Sequence, residues 1–182
     1  MVTLQYLTRM PGLKALLLLS ATVITVVCSG PIQAAVPSHC SAEEMTLFSC
    51  QIEQSAKVVS LCASQPLSKA SALAYRFGKP GNIELEFPKT AVNSIEKFRF
   101  AHYFRYQVDR KTLAFNIGHY HYMLFDYYEG EETPPYGRGI LVTDTRHSDK
   151  TVSLLCRDEV VAELPLLNDI VPCDAGNALA NC

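Results

Sequence analysis

The chain has 182 residues, 48% of them hydrophobic, and its 16 Lys and Arg against 18 Asp and Glu give a formal net charge of −2 at pH 7. That balance excludes a nonspecific nucleic-acid binder, which needs a strongly basic surface. The length suffices for one domain with a real core.

The first element is a sorting signal. Arg9 and Lys14 precede an uncharged run, "LLLLSATVITVV" from Leu16 to Val27, and small residues follow in "SGPIQAA". A charged start, a short apolar core and a small-residue cleavage site describe a secretory signal peptide. The core is shorter than the ~20 apolar residues of a spanning helix. Cleavage is expected after Ala34, with Ala35 as the near alternative. Cys28 raises a rival lipoprotein cut, but that cut requires a small residue before the cysteine, and Val27 stands there. Removing 34 residues from 182 leaves 148 and takes away two basic groups and no acidic ones, so the mature charge becomes −4. The expected location is periplasmic or secreted, with no transmembrane segment after cleavage.

Six cysteines remain: Cys40, Cys50, Cys62, Cys156, Cys173 and Cys182. An even number in an exported chain reads as disulfides. No C-x-x-C pair occurs, so neither a zinc knuckle nor a thioredoxin-type centre is indicated. Cys173 and Cys182 are near enough in sequence to pair with each other. Spacing alone does not settle the rest.

The mature start, 35–46, is polar and expected to be flexible. After it the apolar period is mostly two, which predicts strands. "LFSCQI" and "KVVSLCA" form a first pair. Setting Phe48, Cys50 and Ile52 against Val59, Leu61 and Ala63 keeps the apolar face intact and points Cys62 away from Cys50. In "YRFGKPGNIELEF" the residues Leu73, Tyr75 and Phe77 alternate with polar or small ones, as do Ile83, Leu85 and Phe87. Folding Phe77 onto Ile83 sets Tyr75 against Leu85, Leu73 against Phe87 and Arg76 against Glu84, with "GKPGN" as a five-residue loop. A phosphate-binding loop would be followed by a helix, and here a strand follows.

"FRFAHYFRY" places Phe98, Phe100, His102, Phe104 and Tyr106 on one face and Arg99, Ala101, Tyr103 and Arg105 on the other. "TLAFNI" faces Leu113, Phe115 and Ile117 inward. "HYHYMLFDYY" is apolar or aromatic on both faces and reads as a central strand. "ILVTDT" and "KTVSLLC" follow a polar loop, and Val152, Leu154 and Cys156 point one way. The whole predicts an all-β fold: an antiparallel β-sandwich or partly open barrel of about eight short strands, disulfide-stapled, with a short irregular or helical C-terminal tail. The expected division is 1–34 signal peptide, 35–46 flexible segment, 47–165 β-domain and 166–182 Cys-containing tail.

Chemistry is sparse. His119 and His121, two apart on a predicted strand, project from one face and are the only metal candidates, with His102 or His147 as a third ligand through tertiary contact. Histidines paired with backbone in an aromatic sheet are the plainer reading, so no metal and no cofactor are expected. No G-x-S-x-G or H-E-x-x-H motif is present, and the carboxylate pairs Glu131–Glu132 and Asp158–Glu159 read as solvated surface. No catalytic residue is assigned. The best contact patch is Arg76, Arg99, Tyr103 and Arg105, because arginine and tyrosine are enriched at interfaces.

Two stretches carry a resemblance. "FSCQIEQSAKVVSLCAS" (Phe48–Ser64) and "LAYRFGKPGNIELEFP" (Leu73–Pro88), with "GILVTDT…KTVSLLC" further on, resemble a group of small exported bacterial proteins. The group has a Cys-containing strand, a V-S-x-C-A strand and a Y-R-F-G-x-P-G-x-x-E-L hairpin. The resemblance implies an exported β-rich domain and adds no activity. It leaves Cys50, Cys62 and Cys156 as a shared set and implies a Cys62–Cys156 bridge. The expected function is a non-catalytic exported binding or interaction domain of the cell envelope, with an envelope protein or cell-wall component as partner. One version is an inhibitor or protective partner of an envelope hydrolase. The alternatives are a metal-dependent envelope enzyme using His119 and His121, and a structural envelope protein without a ligand.

Overall fold

The computed structural model describes residues 35–147, 149–178 and 180; the expected signal peptide, Cys28 and Cys182 lie outside them. The described chain is all-β. Nine strands form one antiparallel sheet: β1 (Glu44–Ile52), β2 (Val58–Ser64), β3 (Leu73–Lys79), β4 (Asn82–Phe87), β5 (Arg99–Arg105), β6 (Val108–Ile117), β7 (Tyr120–Glu129), β8 (Tyr136–Asp144) and β9 (Thr151–Ala162). Their order in the sheet is β4-β3-β2-β1-β9-β8-β7-β6-β5. Two meanders are thus joined where the first strand meets the last.

The sheet is curled into a half-barrel. β3 and β6 stand six places apart in the order, about 29 Å if the sheet were flat. Yet the Tyr75 ring on β3 lies 4.9 Å from the Phe115 ring on β6, and Phe87 on β4 stacks on Phe115 at 4.8 Å. Tyr122 stacks on the same ring at 5.0 Å and Phe98 meets it edge-on at 5.3 Å. The partly open barrel is therefore the form of the expected all-β fold that the chain adopts. A 3-10 turn at Leu164–Leu167 lies against β6 and β1 with Leu164 and Leu167 fully buried. Beyond it the tail pairs with the β5 edge, where Phe100 N–H donates to the Pro172 carbonyl and Asp174 N–H to the Phe100 carbonyl, each at 2.9 Å.

The inner face of β5–β8 reads as cross-strand rows. Phe115, Tyr122 and Val142 form one; Phe100, Leu113, Leu124 and Ile140 the next; then His102, Lys111, Asp126 and Arg138; then Phe104, Asp109, Tyr128 and Tyr136. The first two rows belong to the core, the third is charged, and the fourth ends at solvent, with Phe104 75% and Tyr136 52% exposed. The expectation that Phe104 and Tyr106 share the buried face of Phe98 and Phe100 is corrected here, since Tyr106 is 84% exposed. Period two assigns a face but does not say how far along the strand that face is covered.

In the first hairpin the expected facing holds, with Cys50 opposite Val59 and Phe48 opposite Leu61. In the second, the strands run to Lys79 and from Asn82, so the turn is Pro80–Gly81 and not five residues. Tyr75 faces Phe87, Phe77 faces Leu85 and Arg76 faces Glu86, two residues from the expected register. The slip of two keeps the apolar face. The shorter turn accounts for one residue of it and a bulge that leaves Glu84 unpaired for the other, and Gly78 makes room: a Cβ there would collide with the Asn82 carbonyl oxygen. Ile83 itself is 44% exposed.

The segment 35–46, expected as a flexible lead-in, is tied down. Cys40 is bonded to Cys62, His39 N–H donates to Ser60 Oγ at 2.9 Å, and β1 has already begun at Glu44. The second disulfide is Cys50–Cys156. The expected Cys62–Cys156 bridge is thus wrong. Cys50 and Cys156 lie on the adjacent strands β1 and β9, where Ile52 pairs with Cys156 before a bulge at Arg157–Glu159. Cys62 points the other way, as the first register required, and meets the N-terminal segment. Cys173 is also disulfide-bonded; its expected partner Cys182 lies outside the described residues.

The two bridges span 22 and 106 residues. Loop-closure entropy then assigns about 3.5 and about 5 kcal/mol to unstrained bonds. Cys50→Ala/Cys156→Ala is expected to lower the unfolding free energy in urea by about 1.5 kcal/mol more than Cys40→Ala/Cys62→Ala. Equal losses would count against that ordering, and non-reducing peptide mapping checks the pairing directly.

Candidate functional site

The four residues of the expected contact patch do not form one site. Arg76 on β3 is locked in place: its Nη1 and Nη2 donate to the two Glu44 oxygens at 2.6 and 3.0 Å, and its Nε donates to Glu86 at 2.8 Å. Glu44 holds its guanidinium above the usual range. Burial works to raise the Glu44 carboxyl, but Arg76 and Ser41 outweigh it, so the net direction is down. Arg76 is a clamp between β1, β3 and β4.

Arg99, Tyr103 and Arg105 share the outer face of β5, at the other end of the sheet order. Among the described residues neither arginine forms an ion pair. Arg99 donates only to the carbonyls of Glu96 and Phe98, and Arg105 makes only a long 3.5 Å contact to the Tyr106 carbonyl. Arg105 and Arg99 are six residues, about 20 Å, apart along the strand, so they are two separate cations.

Arg105 belongs to a hairpin tip. β5 and β6 close over Tyr106–Gln107, and Phe104, Arg105, Tyr106 and Gln107 are all exposed. Gln107 has φ +56°, a left-handed conformation that costs a non-glycine residue roughly 1 kcal/mol. The turn is braced by the loop after β7: Gly130 N–H donates to the Gln107 carbonyl at 2.8 Å. Gly130 permits that approach, because a Cβ there would come within 3.0 Å of the Gln107 side chain and of the Tyr128 hydroxyl. Tip residues held this way lose little conformational freedom on contact with a partner.

Beneath the tip runs the charged row. His102 Nε2 lies 2.8 Å from Asp109 Oδ1, Lys111 Nζ 2.7 Å from Asp109 and 3.3 Å from Asp126, and Arg138 Nε 2.7 Å from Asp126. Lys111 and Asp126 are buried. Burial works to raise the Asp109 carboxyl, but hydrogen bonds from Lys111 and His102 outweigh it and hold the carboxyl below its ordinary value. Arg138 also lies over the Tyr136 ring at 4.3 Å. Sequence reading missed this chain of contacts because its members come from four strands, though the polar interruption of inward positions at His102, Lys111 and Asp126 was visible.

The two histidines singled out from the sequence do not act as a pair on one strand. His119 sits in the turn before β7, where its carbonyl accepts from Thr145, while His121 on β7 contacts Asn116 Oδ1 at 3.0 Å. His102 is engaged by Asp109, and His147 lies 3.5 Å from Asp144. Among the described residues no group of three metal-ligating side chains converges. A cleft of about 650 Å³ is lined by the tail residues Asn168–Cys173 together with Lys69, Glu96, Phe100 and His102.

Lys111→Met leaves two carboxylates short of a buried cation and is expected to cost about 3 kcal/mol in urea unfolding. Asp109 makes a separate contribution with a defined sign. Its folded pKa is depressed, so its stabilisation is complete above the ordinary 3.8 and is lost as pH falls through the folded value. Asp109→Asn is therefore expected to flatten the fall of the urea midpoint below pH 3.8; an unchanged acid limb would show that the row carries no such linkage.

No protein-family model matches the chain, and neither the curated proteins nor the solved structures include a match. Any reading of function rests on the residues above.

Proposed function

We propose that the chain is a non-catalytic binding domain of the bacterial cell envelope, exported to the periplasm or beyond, whose partner is an envelope protein held at the β5–β6 tip. The observation that carries this reading is the contrast between interior and tip. Inside, His102, Asp109, Lys111, Asp126 and Arg138 are matched to one another. At the tip, Phe104 and Tyr106 stand 75% and 84% exposed next in sequence to an arginine that has no carboxylate partner among the described residues. Large aromatic side chains and arginine are the residue types that dominate binding energy at protein interfaces. Disulfides fit an oxidising compartment, and among the described residues no helix is long and apolar enough to cross a membrane.

The test is affinity capture from envelope extract with the disulfide-bonded mature protein, followed by calorimetry with the purified partner. Arg105→Ala/Tyr106→Ala is expected to weaken that complex at least about tenfold with the fold intact, and Arg76→Ala is not a substitute because it disturbs the Glu44 clamp. Recovery of no specific partner would remove the reading. Undiminished affinity of the double variant would move the contact away from the tip.

A further inference from the structure

β5 ends the sheet, and only part of its free edge is covered. Phe100 turns its backbone away from β6 and toward the tail, donating to Pro172 and accepting from Asp174. Backbone groups alternate in direction along a strand, so the N–H and carbonyl of His102 and of Phe104 point out as well. Among the described residues none of these four groups has a backbone partner. The tail has already turned off, with Asn177 N–H donating to the Asp174 carbonyl. An open edge of this kind is a template for another strand, and its register limits which strand fits. Consider a second β5, antiparallel and related by a two-fold axis. An axis at His102 or at Tyr103 sets the second chain against Phe100, where the tail lies. An axis at Arg105 sets two guanidiniums opposite each other, which is destabilising. An axis at Phe104 meets neither obstacle, because the second chain leaves the edge at its Tyr106–Gln107 turn before it reaches Phe100.

We propose that two copies of the chain join edge to edge through β5, with the two-fold axis at Phe104. The two Phe104 residues then exchange both of their backbone hydrogen bonds. Their rings, exposed in the single chain, meet on the inner face. On the outer face Tyr103 comes opposite the partner's Arg105, a cation–π pairing. It gives a contact to a guanidinium that has no ion pair among the described residues. The partner's Tyr106, also exposed in the single chain, comes opposite His102, which lines the cleft with Asn168–Cys173. The Gly130 brace fixes the Gln107 turn before contact, which lowers the entropy cost of docking. Each side chain from Tyr103 to Tyr106 therefore faces a group of the second copy, and no like charges are opposed. The pairing goes beyond the binding reading above: it covers Phe104 and Tyr106, so an envelope partner at the tip competes with it. An interface made of one short edge is of the small, transient kind.

The test is sedimentation velocity of the disulfide-bonded mature protein over a roughly hundredfold concentration range, where a monomer–dimer equilibrium is expected. Phe104→Glu sets two carboxylates together at the axis. It is expected to weaken the dimer at least about tenfold while leaving the urea midpoint unchanged. The register has its own readout. Residues of a hydrogen-bonded pair stand about 5.5 Å apart at Cα, within disulfide reach. Phe104→Cys is therefore expected to oxidise to a covalent dimer, while Arg99→Cys, beside the tail, stays monomeric. A protein that is monomeric throughout the range overturns the proposal. So does a dimer that Phe104→Glu leaves intact, or one whose Phe104→Cys form does not cross-link. These measurements need no envelope extract, so the dimer and the envelope partner stand or fall separately.

Discussion

The contact between the Phe115 ring and its four aromatic neighbours closes this fold. Hydrogen bonds run unbroken from β4 to β5 through nine strands, but they do not join β4 to β5. What brings the two ends of the sheet together is side-chain packing: Tyr75 and Phe87 from one meander against Phe115 and Tyr122 from the other, with Phe98 entering from the connection between β4 and β5. Aromatic pairs of this kind add about 0.5–1.5 kcal/mol each beyond the area they bury. An open sheet of this length would otherwise expose an apolar face and two edges. The tail and the Leu164–Leu167 turn complete the closure, covering part of the β5 edge and the core below it.

Closure at one end implies divergence at the other. The inner rows of β5–β8 change from aromatic and aliphatic to charged and then to exposed within three steps of two residues. The charged row lies at that boundary. Lys111 and Asp126 are too buried to stand alone, and their stability depends on mutual pairing with the half-buried groups beside them. The hairpin tip beyond it is held by its own backbone bonds and by Gly130, not by the core.

The strands and their faces were legible in the sequence because each is local. Tyr75 and Phe77 alternate with polar neighbours whether or not the partner strand is known, and a register error of two residues left that face intact. The disulfides were not legible, because sheet order is not a local property. β1 and β9 are neighbours although Cys50 and Cys156 are 106 residues apart, and Cys40 found Cys62 through a segment with no periodic signal. The arginines make the same point. Arg76, in the middle of β3, and Arg105, at the end of β5, both lie on an outward strand face, but only Arg76 has Glu44 within reach, 32 residues back along the chain.

That difference between two arginines separates the parts of this molecule that hold shape from those free to recognise something else. A charge whose partner lies in its own chain has its field largely cancelled and its geometry fixed; removing it costs stability. A charge without one contributes little to the fold and leaves its full hydrogen-bonding capacity for another molecule. By that criterion Arg76, Lys111 and Arg138 belong to the scaffold. Arg105, exposed beside a turn braced from behind and without an ion pair among the described residues, does not.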